Sequence, residues 1–184
     1  IFALFLFISG MTFPFSLEKK RSKGLSDKSI TLDVIRRGLT LFFLGLVYEG
    51  FFQFHFESLR IPSVLGRIGL AWMLAAILYC HTGKKTQWGV AAGILIGYFL
   101  LLKLAVAPDA PAGADSLSKE GNIAFYIDRL LLPDNIYKPG VYDPEGILST
   151  IPAVVTAMLG MFTGRYVKES PATGERKTLN MLAA

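Results

Sequence analysis

The sequence predicts an all-α fold, a multi-pass transmembrane helix bundle with about five visible spans. Of its 184 residues, 52% are hydrophobic and only 18% are charged, and the apolar residues occur in long blocks. A hydrocarbon core about 30 Å thick needs about 20 apolar residues in a helix. None of these blocks alternates with a period of two residues, which disfavours strands. The composition therefore favours a membrane protein built from helices.

The blocks define the spans in chain order: 1–17, 38–54, 61–80, 88–107 and 146–167. The chain opens at Ile1 inside an apolar run, and its last residues resemble the start of another apolar segment. We therefore expect residues 1–184 to be one transmembrane domain truncated at both ends, a fragment of a larger protein.

Charge distribution predicts the orientation of the spans. Most of the 19 basic residues fall in segment 18–37, in turn 81–87 and in the region that follows the fifth span, whereas loop 108–145 is mainly acidic. Basic loops stay in the cytoplasm. We expect 18–37, 81–87 and the tail after 167 to be cytoplasmic and 108–145 extracytoplasmic. The net charge of +5 then reflects topology, and we expect no nucleic-acid partner.

Several chemistries lack a sequence signature. A single cysteine, Cys80, excludes a disulfide scaffold and a zinc ribbon. Metal-ligand spacing, a phosphate loop and a nucleophile elbow are not found, so we expect no metal. His55 and His81, the two histidines, have little support as general bases, since one lies at a predicted interface and the other in a cytoplasmic turn.

Glycines at helical spacing predict close packing between helices. They form two stripes, Gly89-Gly93-Gly97 and Gly160-Gly164. Because glycine lets two backbones approach, such stripes pack helices in membranes. We favour packing within one polypeptide, and a homo-oligomer remains open.

Charges inside spans are candidate functional groups. Arg60 and Arg67 lie two helical turns apart and so project from one face of the third span. The planar guanidinium binds phosphate or carboxylate oxygens in pairs. Binding of an anion and pairing with an acid both remain open, and the candidate acids are Glu49, Glu57, Asp143 and Glu145.

The outer loop contains further candidates. Residues 122–132 predict a short amphipathic helix at the membrane interface, which carries Asp128 and Arg129. Asp143 and Glu145 flank the start of the fifth span, where the positive end of a helix dipole favours carboxylates. That stabilising role and a functional role both remain open.

Three blocks carry a family resemblance. They are FLFISGMTFPFS at 5–16, RIPSVLGRIG at 60–69, and YIDRLL at 126–131 followed by YDPEGILSTIP at 142–152. In order and spacing they resemble heparan-α-glucosaminide N-acetyltransferase and its bacterial relatives, a group of multi-pass membrane acyltransferase-like proteins. The resemblance implies transfer of acetyl from cytosolic acetyl-CoA to the amino group of a glucosaminide across the membrane. It places the catalytic histidine upstream of Ile1.

The resemblance also assigns roles and a location. Arg60 and Arg67 would hold anionic parts of the donor or acceptor, and the entrance residues would bind sugar hydroxyls or the amine. These entrance residues are Asp128, Arg129, Asp143 and Glu145. The expected setting is the inner membrane of a bacterium, with the lipid bilayer, acetyl-CoA and an amino sugar as partners. The rivals are a transporter of amino sugars or other small solutes, which would transfer no acyl group, and a non-catalytic membrane scaffold.

Overall fold

The structure is a computed structural model that describes residues 2–48, 62–132 and 145–170. Within those ranges every extended regular element is a helix, which confirms the all-α prediction. In chain order the helices are α1 (Phe2–Ser22), α2 (Asp27–Tyr48), α3 (Val64–His81), α4 (Lys84–Leu104), α5 (Ile123–Leu131) and α6 (Thr150–Glu169).

The five long helices run alternately between two ends of a bundle. Helices α1, α3 and α6 finish at one end, where α2 and α4 begin. Ion pairs join the helices there: Lys20–Asp33 at 2.8 Å, Lys84–Glu169 at 2.7 Å and Lys168–Glu18 at 2.9 Å. We call this the basic end and the other the cavity end.

Caps fix where two of the helices start. Ser63 precedes α3, and its hydroxyl accepts the backbone N–H of Gly66 at 3.0 Å. Asn122 precedes α5, and its side-chain oxygen accepts the N–H of Ala124 at 2.9 Å. Such bonds satisfy N–H groups that have no partner within the helix. They fix where α3 and α5 begin, and the start of α3 lies beside the cavity described below.

Helices α1 and α6 run in parallel and approach each other through glycine. A Cβ atom at Gly160 would collide with the backbone of Phe7, and one at Gly164 with the backbone of Met11. On α1, a Cβ atom at Gly10 would likewise collide with the backbone of Ala157. These two helices and α3 enclose the buried core, which includes Leu6, Trp72 and Met158.

The predicted spans and the observed helices differ in several places. Only α1, α3 and α4 are long and apolar enough to cross a membrane among the described residues, so the number of five spans stays a prediction. Segment 18–37 is not a loop. It contains the end of α1 and more than two turns of α2, because a short turn after Ser22 leads directly into a new helix. Arg37 therefore lies on a helix, over the ring of Trp72 at 4.6 Å.

The two predicted glycine stripes have different surroundings in the structure. Gly160 and Gly164 pack as predicted, whereas a Cβ atom at Gly89, Gly93 or Gly97 would meet no described atom within 4 Å. The stripe on α4 therefore faces open space in the described part of the chain. Its predicted role in helix packing stays a prediction.

Candidate functional site

Arg67 joins three helices at the cavity end. It lies in the first turn of α3, and its Nη2 atom donates to the backbone oxygen of Ser149, just before α6, at 2.7 Å. Its Cζ atom lies 4.7 Å from the ring centre of Phe2, at the start of α1. A cation over an aromatic face is attracted to the ring. The guanidinium is therefore held in place where α1, α3 and α6 meet.

Asp128 connects α5 to the segment that leads into α6. Its side chain is fully buried, and Oδ1 accepts the backbone N–H of Ile147 at 2.8 Å. The carboxylate also packs directly against the backbone of Gly146, where any Cβ atom would collide with it. Because Glu145 is the next residue, this contact fixes the chain that carries Glu145.

Arg67 and Glu145 line the same cavity, which has a volume of about 610 Å³. Ser63 and Thr150 add hydroxyl groups at the same end, and the other described lining residues are apolar. A guanidinium favours anionic oxygens, and a carboxylate favours an amine or sugar hydroxyls. This arrangement can hold a polar ligand of mixed charge at the cavity end.

The other predicted site residues are placed differently or not described. Arg129 forms a two-pronged ion pair with Asp109, at 2.8 Å and 2.9 Å from Nη2, and so closes the loop between α4 and α5. Arg60 and Asp143 lie outside the described residues, as does His55. Of the six predicted site residues, the structure brings Arg67 and Glu145 together in one cavity, with Asp128 behind them.

His81 lies at the basic end, where its Nε2 atom is 2.9 Å from Thr31 Oγ1. It is fourteen residues after Arg67 on α3, or about 21 Å along the helix axis. This distance separates His81 from the polar part of the cavity at Arg67, while the apolar lining of the same cavity reaches Leu78.

A second polar centre at the basic end was missed from the sequence. Gln87 is almost fully buried, and its Nε2 atom donates to the backbone oxygens of Tyr79 at 3.1 Å and Thr82 at 2.9 Å. Its Oε1 atom accepts from Arg165 Nη1 at 2.8 Å. The signal was available as a lone amide side chain near the start of an apolar helix.

The guanidinium of Arg165 borders a cavity of about 310 Å³, which Arg21 and Lys168 also line. Two acidic residues, Glu18 and Glu169, complete its charged rim. Lys168 pairs with Glu18 at 2.9 Å, and Arg21 pairs with Asp27 at 3.1 Å. The described lining therefore contains three basic residues and two acidic ones. In the described ranges no group of three or more His, Cys, Asp or Glu side chains could hold a metal ion.

The described residues form a helical bundle in which three helices are long and apolar enough to cross a membrane, and the bundle contains two cavities with charged lining residues. These features support a helical membrane protein. No family model matches the chain. It is similar to heparan-alpha-glucosaminide N-acetyltransferase of Homo sapiens, with 28% identity over 91% of this chain, and to the Mus musculus protein of that name, with 27% identity over 91%. These matches support assignment to a heparan-α-glucosaminide N-acetyltransferase-like family, as the sequence motifs predict.

The chain spans 32% of the length of these relatives. Their names and the apolar helices support an acetyltransferase-like membrane protein. The transporter that the sequence left open as a rival is not favoured by these comparisons.

Proposed function

We propose that this chain forms part of a membrane-bound acyltransferase that moves acetyl from acetyl-CoA to the amine of an amino sugar across the membrane. One structural observation carries the proposal: Arg67 and Glu145 line a single cavity at one end of the bundle. The similarity over 91% of the chain to proteins named for N-acetyl transfer to a glucosaminide supports it.

The acceptor binds at the cavity end in this proposal. The Glu145 carboxylate accepts hydrogen bonds from the sugar amine or hydroxyls, and Arg67 binds an anionic group of the substrate. Arg60 and Asp143 complete the entrance, Arg129 holds the loop between α4 and α5 through Asp109, and Asp128 positions Glu145 from behind. These assignments rest on the shared cavity and on the fixed backbone around Gly146.

The donor binds at the basic end. The phosphates of acetyl-CoA carry several negative charges, and the cations of Arg21, Arg165 and Lys168 border the smaller cavity there. This end is cytoplasmic under the positive-inside rule, where acetyl-CoA is made available. The membrane is the bacterial inner membrane, and loop 108–145 is extracytoplasmic.

The chemical step needs a base or acyl carrier that removes the amine proton or holds the acetyl group. His81 does not serve, because it lies at the other end of α3 from Arg67. A histidine in the loop before the first span, as the family resemblance implies, fills this role. The described chain then supplies binding and orientation of the two substrates.

The test uses the full-length protein in sealed membrane vesicles of known orientation. Labelled acetyl-CoA is supplied on the side of the basic end and glucosamine on the opposite side, and N-acetylglucosamine is measured. We expect Arg67→Ala to abolish most product, while Arg36→Ala, which alters an exposed arginine on α2, leaves the rate unchanged. No product from any amino sugar, under conditions where an established N-acetyltransferase is active, would refute the proposal.

The two sites are separated by a second measurement. Arg165→Ala is expected to raise the KM for acetyl-CoA about tenfold, as for the loss of one charged contact, while the KM for the amino sugar stays the same. Arg67→Lys is expected to show the reverse pattern. If both variants changed the same KM, the assignment of donor and acceptor to opposite ends would be wrong.

A further inference from the structure

The larger cavity has a short polar end and a long apolar part. Beyond Arg67 every described lining residue is apolar, and one face of α3 supplies five of them: Leu70, Met73, Leu74, Ile77 and Leu78. Arg67 and Leu78 are eleven residues apart on one helix, or about 16 Å along its axis. The apolar part is therefore about as deep as half of a bilayer's hydrocarbon core, which is about 30 Å thick.

The apolar part is bordered by α3 and α4, which separate after a tight connection. Only Thr82 and Gly83 join these two helices at the basic end, yet α4 packs mainly on α6 rather than on α3. Ile94 of α4 borders the cavity together with the α3 side chains. Two further lining residues are partly exposed, Leu74 at 47% and Ile151 at 45%. The described part of the bundle is thus open at its side along this cavity.

The apolar part suits a hydrocarbon chain and not a sugar. A hydroxyl group placed there would lose its bonds to water and find no polar partner in the described lining. Water is held poorly as well, because a buried water molecule needs two or more polar partners. Burial of an alkyl chain against leucine, isoleucine and methionine is favourable. A water-soluble amino sugar bound at the polar end would therefore leave this volume without a matching occupant.

A chain attached to the bound sugar reaches this volume directly. In the proposed function the sugar binds at the cavity end, and Leu70 lies only about one helical turn beyond Arg67 along α3. A chain on the same molecule enters the apolar part without a second loss of translational freedom, whereas a bilayer lipid has to be captured separately. No further contact is required of Arg67 or Glu145. The continuity of the two parts of the cavity thus favours a single ligand that carries both a sugar and a chain.

We propose that the acceptor is a lipid-linked amino sugar, whose alkyl chain lies along residues 70–78 of α3 while its sugar stays at the cavity end. The molecule enters from the bilayer through the open side at Leu74 and Ile151. This inference rests on the proposed function and names the class of its acceptor. The reaction itself is unchanged: the amine nitrogen bonds to the acetyl carbon, the C–S bond of acetyl-CoA breaks, the coenzyme A thiolate leaves, and the base takes the amine proton.

The first experiment measures how the acceptor's chain affects the rate. The full-length protein in sealed vesicles receives acetyl-CoA on the side of the basic end and, on the opposite side, glucosamine with an ethyl, octyl or dodecyl group on its anomeric oxygen. We expect kcat/KM to rise about tenfold or more from the ethyl to the dodecyl acceptor. Equal kcat/KM for all three would overturn this inference and leave acetyl transfer standing, whereas no product from any of them would refute the proposed function.

The second experiment separates the cavity from the bilayer, in which long chains also concentrate. Leu74→Trp and Ile151→Trp narrow the apolar part from α3 and from α6. Leu95→Trp and Leu100→Trp are the matched controls, because these leucines are 47% and 45% exposed and lie on α4 outside the cavity lining. We expect the two cavity variants to lower kcat/KM about tenfold for the dodecyl acceptor and to leave it unchanged for the ethyl acceptor. Equal values in cavity variants and controls would show that the chain only dissolves in the bilayer, and would overturn the inference.

A third measurement decides the chain site even if no acceptor is acetylated. Dodecyl glucosaminide with a photoreactive group near the middle of its chain is cross-linked to the unmodified protein, and labelled peptides are mapped. Labels on residues 70–78 are expected, and an excess of unlabelled dodecyl glucosaminide should remove them while an equal excess of phosphatidylcholine should not. Equal competition by the phospholipid would overturn the inference.

A photoreactive amino acid in place of Ile77 tests the remaining occupant, another part of the polypeptide. We expect this residue to form its cross-link with added dodecyl glucosaminide. A cross-link to another polypeptide segment, unchanged by the added glycolipid, would show that this segment fills the cavity and that the chain site is wrong.

Discussion

The carboxylate of Asp128 holds the backbone N–H of Ile147 at 2.8 Å, which links the short helix α5 to the start of α6. Asp128 is fully buried, whereas the neighbouring Arg129 turns toward Asp109 in the preceding loop. Two adjacent residues of α5 thus bind two different segments, the one before α6 and the loop after α4. Together they fix the chain that places Glu145 beside Arg67.

Removal of the Asp128 carboxylate is expected to destabilise the protein. In Asp128→Ala the part-buried N–H of Ile147 loses its acceptor, and loss of such a bond costs about 1 kcal/mol. Asp128→Asn keeps an oxygen acceptor and is expected to lose less. Thermal unfolding in detergent measures both, with Glu120→Ala at an exposed loop position as control. Equal melting temperatures for Asp128→Ala and the control would contradict the link.

Any side chain at position 146 is expected to destabilise the protein. In Gly146→Ala the new Cβ atom collides with the Asp128 carboxylate, and overpacking of this kind costs about 1–3 kcal/mol. Gly97→Ala is the control, since nothing lies within 4 Å of its Cβ position. That variant is expected to gain about 0.5–1 kcal/mol from helix propensity. Unfolding in denaturant compares the two, and similar shifts in the same direction would disprove the close contact.

Close packing of α1 on α6 is expected to depend on Gly160. Gly160→Ala pushes a methyl group against the backbone of Phe7, and backbone yields less readily than a side chain. We expect a lower melting temperature than for Gly93→Ala, a helix glycine whose Cβ position is open. The same measurement on Gly164→Ala should agree in sign. A stabilised Gly160→Ala protein would show that the two helices do not approach at this point.

The Gln87 amide is expected to support the second cavity. Gln87→Leu removes the hydrogen bonds to the backbone oxygens of Tyr79 and Thr82, and it removes the acceptor for Arg165. Leaving such buried groups without partners costs about 1–3 kcal/mol. Thermal unfolding is compared with Thr86→Val, a similar loss of polarity at an exposed neighbour. Gln87 has no supporting role if the two variants melt together.

Low pH is expected to weaken the ion pairs at the basic end and so to lower the stability of the protein. A hydrogen bond from Lys20 lowers the pKa of Asp33 below its ordinary 3.8, and one from Lys84 lowers the pKa of Glu169 below its ordinary 4.5. Because both folded-state pKa values are depressed, the stabilisation is present above the ordinary values and is lost as the pH falls through them toward the folded-state values.

Melting temperature against pH measures this effect. The slope between about pH 5 and pH 3 should be shallower in a Lys20→Gln, Lys84→Gln double variant than in the unmodified protein. Lys23→Gln, a change at an exposed residue after α1, serves as control. Parallel profiles for the double variant and the unmodified protein would contradict the prediction.

The presence of the long helices was predictable, because apolar blocks of about 20 residues without period-two alternation favour membrane helices over strands. The bounds were less predictable. Arg36 and Arg37 read as loop residues by charge, yet they extend α2, because the turn after Ser22 is short and α2 starts early at Asp27. Charge marks which side a segment lies on, but it does not mark where a helix begins.

The candidate site was predictable by residue type more than by partner. The two-turn separation from Arg60 placed Arg67 on one face of the third span. The acidic pair Asp143 and Glu145 was placed at the start of the fifth span. Their shared cavity, and the bond from Arg67 to Ser149, depend on how α3 and α6 pack across a long stretch of intervening chain. Gln87 was missed because its three partners come from different parts of the fold.

The pairing of α1 with α6 also sets an order of assembly. The two helices come from opposite ends of the described chain, so their contact closes a long loop and has a large entropic cost before it forms. Of these two helices, α1 is synthesised first, so its backbone at Phe7 and Met11 lacks this contact until Gly160 and Gly164 are made. Among the described helices, the last one made is therefore the one that closes this contact.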